Sequence, residues 1–133
     1  MKVLDLFSGI GGFHVAAERA IGDSFQLVGY SEIDPLCKKI YSYNFNVSEK
    51  IPNGDIRELA THKDDSWEVP KFDLCLAGFP CQPFSNVGMR KGFADERSNV
   101  FYDILRVLRE YRPQYFVLEN VEKIGTIQNG KIL

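Results

Sequence analysis

A parallel α/β sheet is the fold this sequence predicts, on three observations. Short apolar runs alternate with segments of helical periodicity along the chain, the pattern of repeated βαβ units. One run, Phe72 to Phe79, is almost continuously apolar, as a strand covered on both faces must be. The residues that do not belong to a plain core follow these apolar runs, where an open α/β sheet binds its ligands.

Taken in order, Lys2 to Phe7 predicts a strand, followed by a glycine turn and a helix from about Gly12 to Ala20. Phe25 to Tyr30 predicts a second strand. Pro35 suits a first helical turn, and that helix runs to about Asn44 with Leu36, Ile40 and Tyr43 on one face. A short third strand ends near Asp55, and Ala60 to Pro70 reads as a polar surface loop. Phe72 to Phe79 is the fourth strand. Pro80 to Arg97 is a Gly/Pro-rich loop, long for a compact domain and therefore a candidate functional loop. Val100, Ile104, Val107, Leu108 and Tyr111 recur at helical spacing, and Pro113 stops that helix. Tyr115 to Leu118 is the fifth strand. Asn129-Gly130 then predicts a turn into a strand that is only beginning, so the chain reads as unfinished.

The 133 residues fit one domain with a real core, at 26% charged and 44% hydrophobic residues. No apolar run reaches the roughly 20 residues a membrane helix needs, and Asp5 interrupts any signal-peptide pattern. Cys37, Cys75 and Cys81 form no CxxC pair and no zinc-type spacing, so reduced thiols and no metal are expected. The net charge of −2 is unlike that of a chain whose main task is gripping phosphates.

The strand ends carry the candidate chemistry. Phe7-Ser8-Gly9-Ile10-Gly11-Gly12 lets backbone approach a ligand and opens a helix whose first N–H groups attract negative charge. It lacks the third spaced glycine of a dinucleotide fingerprint and the Gly-Lys-Ser/Thr of a P-loop. A tight turn without ligand remains an open reading of this loop alone. Glu32 sits where a carboxylate can bond ribose hydroxyls, and Asp55 follows Asn53-Gly54; alone, the first reads rather as a solvated charge at a strand end and the second as a turn residue. Together the three suit an adenosine-bearing cofactor. In Pro80-Cys81-Gln82-Pro83, flanking prolines restrict the backbone and aim the thiol, so Cys81 is the candidate nucleophile. Cys75, inside an apolar strand, reads as structural, as does Cys37. Glu119 ends the fifth strand, where a carboxylate can serve as a proton donor or make local hydrogen bonds. His14 and His62 show no partner spacing and read as structural or surface residues.

Asp5-Leu6-Phe7-Ser8-Gly9-Ile10-Gly11-Gly12-Phe13, Glu32, Gly54-Asp55-Ile56, Gly78-Phe79-Pro80-Cys81-Gln82-Pro83-Phe84-Ser85 and Glu119-Asn120-Val121 resemble, in order and spacing, the motifs of DNA (cytosine-5) methyltransferases. The resemblance covers essentially the whole chain but only the N-terminal part of such an enzyme. It implies a Rossmann-like S-adenosylmethionine-dependent methyltransferase fold, incomplete, with about five parallel strands and flanking helices. Residues 1–133 would be the N-terminal portion of the catalytic domain, without the target-recognition domain or the C-terminal motifs. The resemblance assigns Cys81 to attack on cytosine carbon 6 and Glu119 to N3 of a base flipped out of the duplex. Phe7, Ser8, Gly9, Gly11, Gly12, Glu32, Ile33, Asp55, Ile56, Gly78 and Pro80 map to the cofactor site. Gln82 and Ser85 map to DNA contacts. Arg90, Lys91 and Arg97 make the same loop locally basic, which fits DNA or simply a solvated loop. Gly78-Phe79 before Pro80 resembles the bacterial DNA-modifying type, with RNA left open as a substrate within the family, and the resemblance together with the reduced thiols implies a cytoplasmic protein of bacterial or phage type. The absent later motifs imply a complementing chain or C-terminal segment. Two alternatives stay open: a non-catalytic binding or regulatory module, against which Cys81 and Glu119 weigh, and a nicotinamide-dependent oxidoreductase, against which the glycine spacing weighs.

Overall fold

The computed structural model describes residues 1–63, 66–79 and 100–120. The elements run β1 (Lys2–Leu6), α1 (Gly12–Ile21), a 3-10 turn (Gly22–Ser24), β2 (Gln26–Ser31), α2 (Pro35–Asn44), β3 (Asn53–Gly54), β4 (Leu74–Gly78), α3 (Val100–Tyr111) and β5 (Tyr115–Glu119). The strands form one parallel sheet in the order β3-β2-β1-β4-β5. The chain thus builds outward from β1 through β2 to β3, then returns to place β4 on the other side of β1. That reversal between β1 and β4 is the switch point at which a crevice opens beyond the strand ends.

Alternation along β1 divides the core between two faces. Val3 packs with Ala17 of α1 and with Leu74 and Leu76 of β4, backed by Phe13, Ile21 and Phe25. Leu4 and Leu6 face the opposite way, into a larger cluster with Cys75, Ala77, Phe72 and Ile104 and Val107 of α3. Each fully buried side chain of this size contributes about 1.5–3 kcal/mol relative to exposure. Leu74 to Ala77 are all buried, in agreement with the continuous apolar run.

Asp34 caps α2 by accepting from the N–H groups of Leu36 and Cys37, at 2.7 and 3.1 Å, with Pro35 in the first turn. The face carrying Leu36, Ile40 and Tyr43 turns outward, with Leu36 and Tyr43 exposed. The buried residue of α2 is Tyr41, which packs against His14, Tyr30 and Phe45.

The reading of Ala60 to Pro70 as a polar loop needs correction. Ala60 and Val69 are buried, Leu59 and Trp67 form an isolated parallel bridge, and Ala60 N–H donates to the Trp67 carbonyl at 2.9 Å. The Trp67 indole fills the space beside Gly54, where a Cβ would lie 2.6 Å from Nε1. Apolar residues scattered among charges hide this packing from a local pattern. The long loop from Pro80 to Arg97 and the Asn129-Gly130 turn lie outside the described residues. No helix among the described residues is long and apolar enough to cross a membrane.

Candidate functional site

A cleft of about 450 Å³ opens at the carboxyl ends of β1, β2, β3 and β4. Phe7, Glu32, Ile33, Asp55, Ile56 and Gly78, all expected from the sequence, line it together with Ser31, Arg57, Phe79 and Val100. The volume lies in the range of small-molecule sites, and apolar walls with a few convergent polar groups are the usual make-up of one.

The glycine loop is built on left-handed backbone at Phe7, Gly9 and Gly11, with φ of 55°, 53° and 105°. For Phe7 that conformation costs on the order of 1–3 kcal/mol and persists only where neighbours enforce it. Ser31 does so: its Oγ accepts the Phe7 N–H at 3.0 Å and its carbonyl accepts the Ser8 N–H at 2.9 Å. Ser8 is buried and its Oγ has no hydrogen-bond partner among the described residues. At Gly11 a Cβ would fall 2.0 Å from the Phe45 ring, so glycine is required there by space as well as by φ.

Glu32 is more than a strand-end carboxylate. One oxygen accepts the Ile33 and Asp34 N–H groups at 2.7 and 2.8 Å, and the other accepts the Gly9 N–H at 2.9 Å. It therefore ties the glycine loop to the end of β2, and Oε2 keeps one accepting direction open. Asp55 is engaged by Arg57. Oδ1 accepts the Arg57 N–H at 2.9 Å, and Oδ2 accepts Nε at 2.8 Å and a terminal guanidinium nitrogen. Burial alone would raise the Asp55 carboxyl, but the hydrogen bonds and charge of Arg57 outweigh it and hold it below its ordinary range. Oδ1 likewise keeps one accepting direction.

Glu119 is placed by the sheet. It stands opposite Gly78 in the β4–β5 register, and its carbonyl accepts the Phe79 N–H at 3.3 Å. Asn120 Nδ2 donates to the Phe79 carbonyl at 2.8 Å, pinning the residue from which the chain enters Pro80. Gly78 keeps this corner open, since a Cβ there would lie 2.9 Å from the Phe13 ring and 3.5 Å from Glu119 Oε2. Pro80, Cys81, Gln82, Ser85, Arg90, Lys91 and Arg97 lie outside the described residues. Cys75 is buried, and burial first, then the Asp5 charge, push its thiol up to about 12, so it is inert. No group of His, Cys, Asp and Glu among the described residues could hold a metal ion.

With this geometry in view, residues 1–133 match the family profile of C-5 cytosine-specific DNA methylase. The chain belongs to that family. Among its relatives, the orphan methyltransferase M.Rho11sI of Bacillus phage rho11s is 42% identical over all of this chain and 25% of its own length. The type II methyltransferase M.BanI of Aneurinibacillus aneurinilyticus is 43% identical over all of this chain and 29% of its own. The crystal structure of the S. pombe Dnmt2 methyltransferase superposes with a TM-score of 0.66 at 32% identity, covering 94% of this chain and 37% of that one. The chain thus has the Rossmann-like methyltransferase fold and spans a quarter to three-tenths of the length of these curated relatives.

The sequence alone does not single out Ser31, Arg57, Phe79 and Val100 as cleft residues. Ser31 and Arg57 directly adjoin the carboxylate and isoleucine motifs, which is the signal that was available. Val100 reaches the cleft by tertiary packing alone.

Proposed function

We infer that this chain supplies the cofactor-binding and nucleophile-bearing part of a DNA (cytosine-5) methyltransferase that uses S-adenosylmethionine. The observation that carries the reading is the meeting of Phe7, Glu32, Asp55 and Gly78 on one cleft at the switch point, beside the end of β5, where Glu119 stands opposite Gly78 and bonds Phe79. The pieces fit such a cofactor. Phe7 and Ile56 offer apolar walls to a purine, and Ile33 is exposed at the rim. Glu32 Oε2 and Asp55 Oδ1 each retain an accepting position, suited to a ribose hydroxyl and to an exocyclic amino group. Ser8, Gly9, Gly11 and Gly12, which are not part of the cleft lining, are assigned to the amino-acid end of the cofactor, and Pro80 to the same site.

When bound, S-adenosylmethionine supplies an electrophilic methyl group. Cys81 contributes a thiolate that adds to cytosine carbon 6, moving the 5,6 double-bond electrons to carbon 5, which then carries out methyl transfer. Glu119 hydrogen-bonds N3 and supplies the proton that favours addition. Loss of the carbon 5 proton and cleavage of the sulfur–carbon 6 bond restore the ring and the thiolate. The base must leave the duplex to reach Cys81, and Gln82, Ser85, Arg90, Lys91 and Arg97 are assigned to DNA contact. Target choice and most of the DNA grip belong to segments that the longer relatives have beyond the matched part, supplied by the same polypeptide or by a second one.

The test is covalent trapping. Incubated with S-adenosylmethionine and DNA containing 5-fluorocytosine, the protein should form an adduct on Cys81, alone or with an extract of the source cells, that Cys81→Ser abolishes. A chain that binds S-adenosylhomocysteine yet gives no adduct in either condition supports instead the non-catalytic module that keeps the fold.

A further inference from the structure

The wall made by Asp55 and Ile56 is held in an unusual way. β3 is two residues long and pairs with β2 only at Asn53 and Gly54, so the ladder ends before the residues that line the cleft. Beyond it the chain turns, and its carbonyl groups look to side chains for partners. The Trp67 indole donates to the Asp55 carbonyl at 2.7 Å. Arg106, from the middle of α3, donates a terminal nitrogen to the Ile56 carbonyl at 2.6 Å and Nε to the Leu59 carbonyl at 3.4 Å. Its remaining terminal nitrogen meets Asp103, one turn back on the same helix. A guanidinium is suited to this task because its donors lie in a rigid plane and it stays charged throughout the accessible pH range.

Arg106 touches no cleft surface itself. It fastens the turn after β3 to α3, whose first residue, Val100, lines the same cleft. We propose that Arg106 is a positioning residue for cofactor recognition: by holding the Ile56 and Leu59 carbonyls it sets the place of the Asp55 carboxylate, and hence the selectivity of the cleft for an adenine over a ring without an exocyclic amino donor. Asp103 orients the guanidinium. The inference rests on the reading of this cleft as the S-adenosylmethionine site, and it adds a residue 50 positions away from the carbonyl it holds.

Its first test needs no ligand. In Arg106→Ala, amide hydrogen exchange across residues 55–59 should rise at least about tenfold while the β1 and β4 amides stay protected, and Arg106→Lys, which reaches one carbonyl at a time, should fall between. Unchanged exchange at 55–59 overturns the proposal, whatever the cleft binds. The second test compares S-adenosylhomocysteine with S-inosylhomocysteine, whose ring presents an oxygen where adenine presents its amino group. The native protein should prefer the adenosyl compound, and Arg106→Ala should lose about tenfold of that preference, with the lysine variant restoring part of it. Equal weakening toward both compounds is the signature of general damage and overturns the positioning role. If the native protein binds neither, the cofactor reading of the cleft fails and selectivity with it, and the exchange result alone decides whether Arg106 holds the turn.

Discussion

Asp5 shows how a single side chain can run against the usual pH rule. It is buried in β1, where Tyr41 donates its hydroxyl proton to Oδ2 at 3.2 Å and lies within hydrogen-bond distance of His14 Nδ1, at 2.7 Å. Oδ1 is buried without a partner among the described residues. Burial raises its carboxyl from 3.8 to about 7, against the smaller lowering effect of the Tyr41 hydrogen bond. Between those values the folded chain holds a proton that the unfolded chain has released, so Asp5's contribution to stability falls as pH rises and levels off above about 7. His14 works in the other direction. Burial lowers its pKa despite Glu18, so it withholds stability as pH drops through the ordinary histidine range. The two trends offset one another in the native protein, and a variant is needed to separate them. Asp5→Asn, which keeps an acceptor for Tyr41, should be more stable than the native chain at pH 8 by ~1–3 kcal/mol. That advantage should shrink steadily as pH falls below about 7 and be lost only near pH 4, read from urea midpoints at each pH. An equal difference at both would mean that Asp5 is protonated, or solvated, throughout.

At the scale of elements, the loop between β1 and α1 depends on one glycine far more than on its neighbour. Gly11 has φ 105° and a Cβ there would strike the Phe45 ring, which stacks on His14 with centroids 3.8 Å apart. Gly12 begins α1 with open space around it. Gly11→Ala should therefore cost more than about 2 kcal/mol, whereas Gly12→Ala should be neutral or stabilise by a few tenths of a kcal/mol through helix propensity. Thermal unfolding of the pair decides it, and similar losses would contradict the packing of Phe45 under the loop. The same contrast marks what the sequence makes legible. Element type and order follow from local periodicity, which is why the helix from Gly12 and the buried run through Leu76 are plain in the residues. The cleft residues that strands place at their ends, Phe7, Glu32, Asp55 and Gly78, are legible for the same reason. Partners chosen by tertiary folding are not. Nothing local says that Trp67 closes on Gly54, that Tyr41 rather than Leu36 faces inward, or that Arg57 and Arg106 engage the turn after β3.

At the scale of the whole molecule, the two edges of the sheet differ. β3 presents two residues, flanked by the Trp67 indole. β5 pairs along its full length with β4, and among the described residues no strand lies on its other side. Tyr115, Phe116 and Val117 are 51%, 58% and 46% exposed, so consecutive apolar side chains, which alternate between the two faces of the sheet, meet solvent together. An edge of this kind is a template for pairing with another chain. The isolated chain should therefore self-associate as its concentration rises through about 10–200 µM. A lysine at the edge is the device by which natural sheets suppress such pairing, so Val117→Lys should weaken association at least fivefold without lowering the unfolding temperature of an exposed site. Phe116→Lys separates the two ways of associating. Strand addition along the edge is sensitive to a charge on either face, so both variants should dissociate the assembly in sedimentation velocity. Packing of one sheet face against a second copy responds to one variant and not the other, and a native chain that stays monomeric over the whole range removes the edge as an interaction surface.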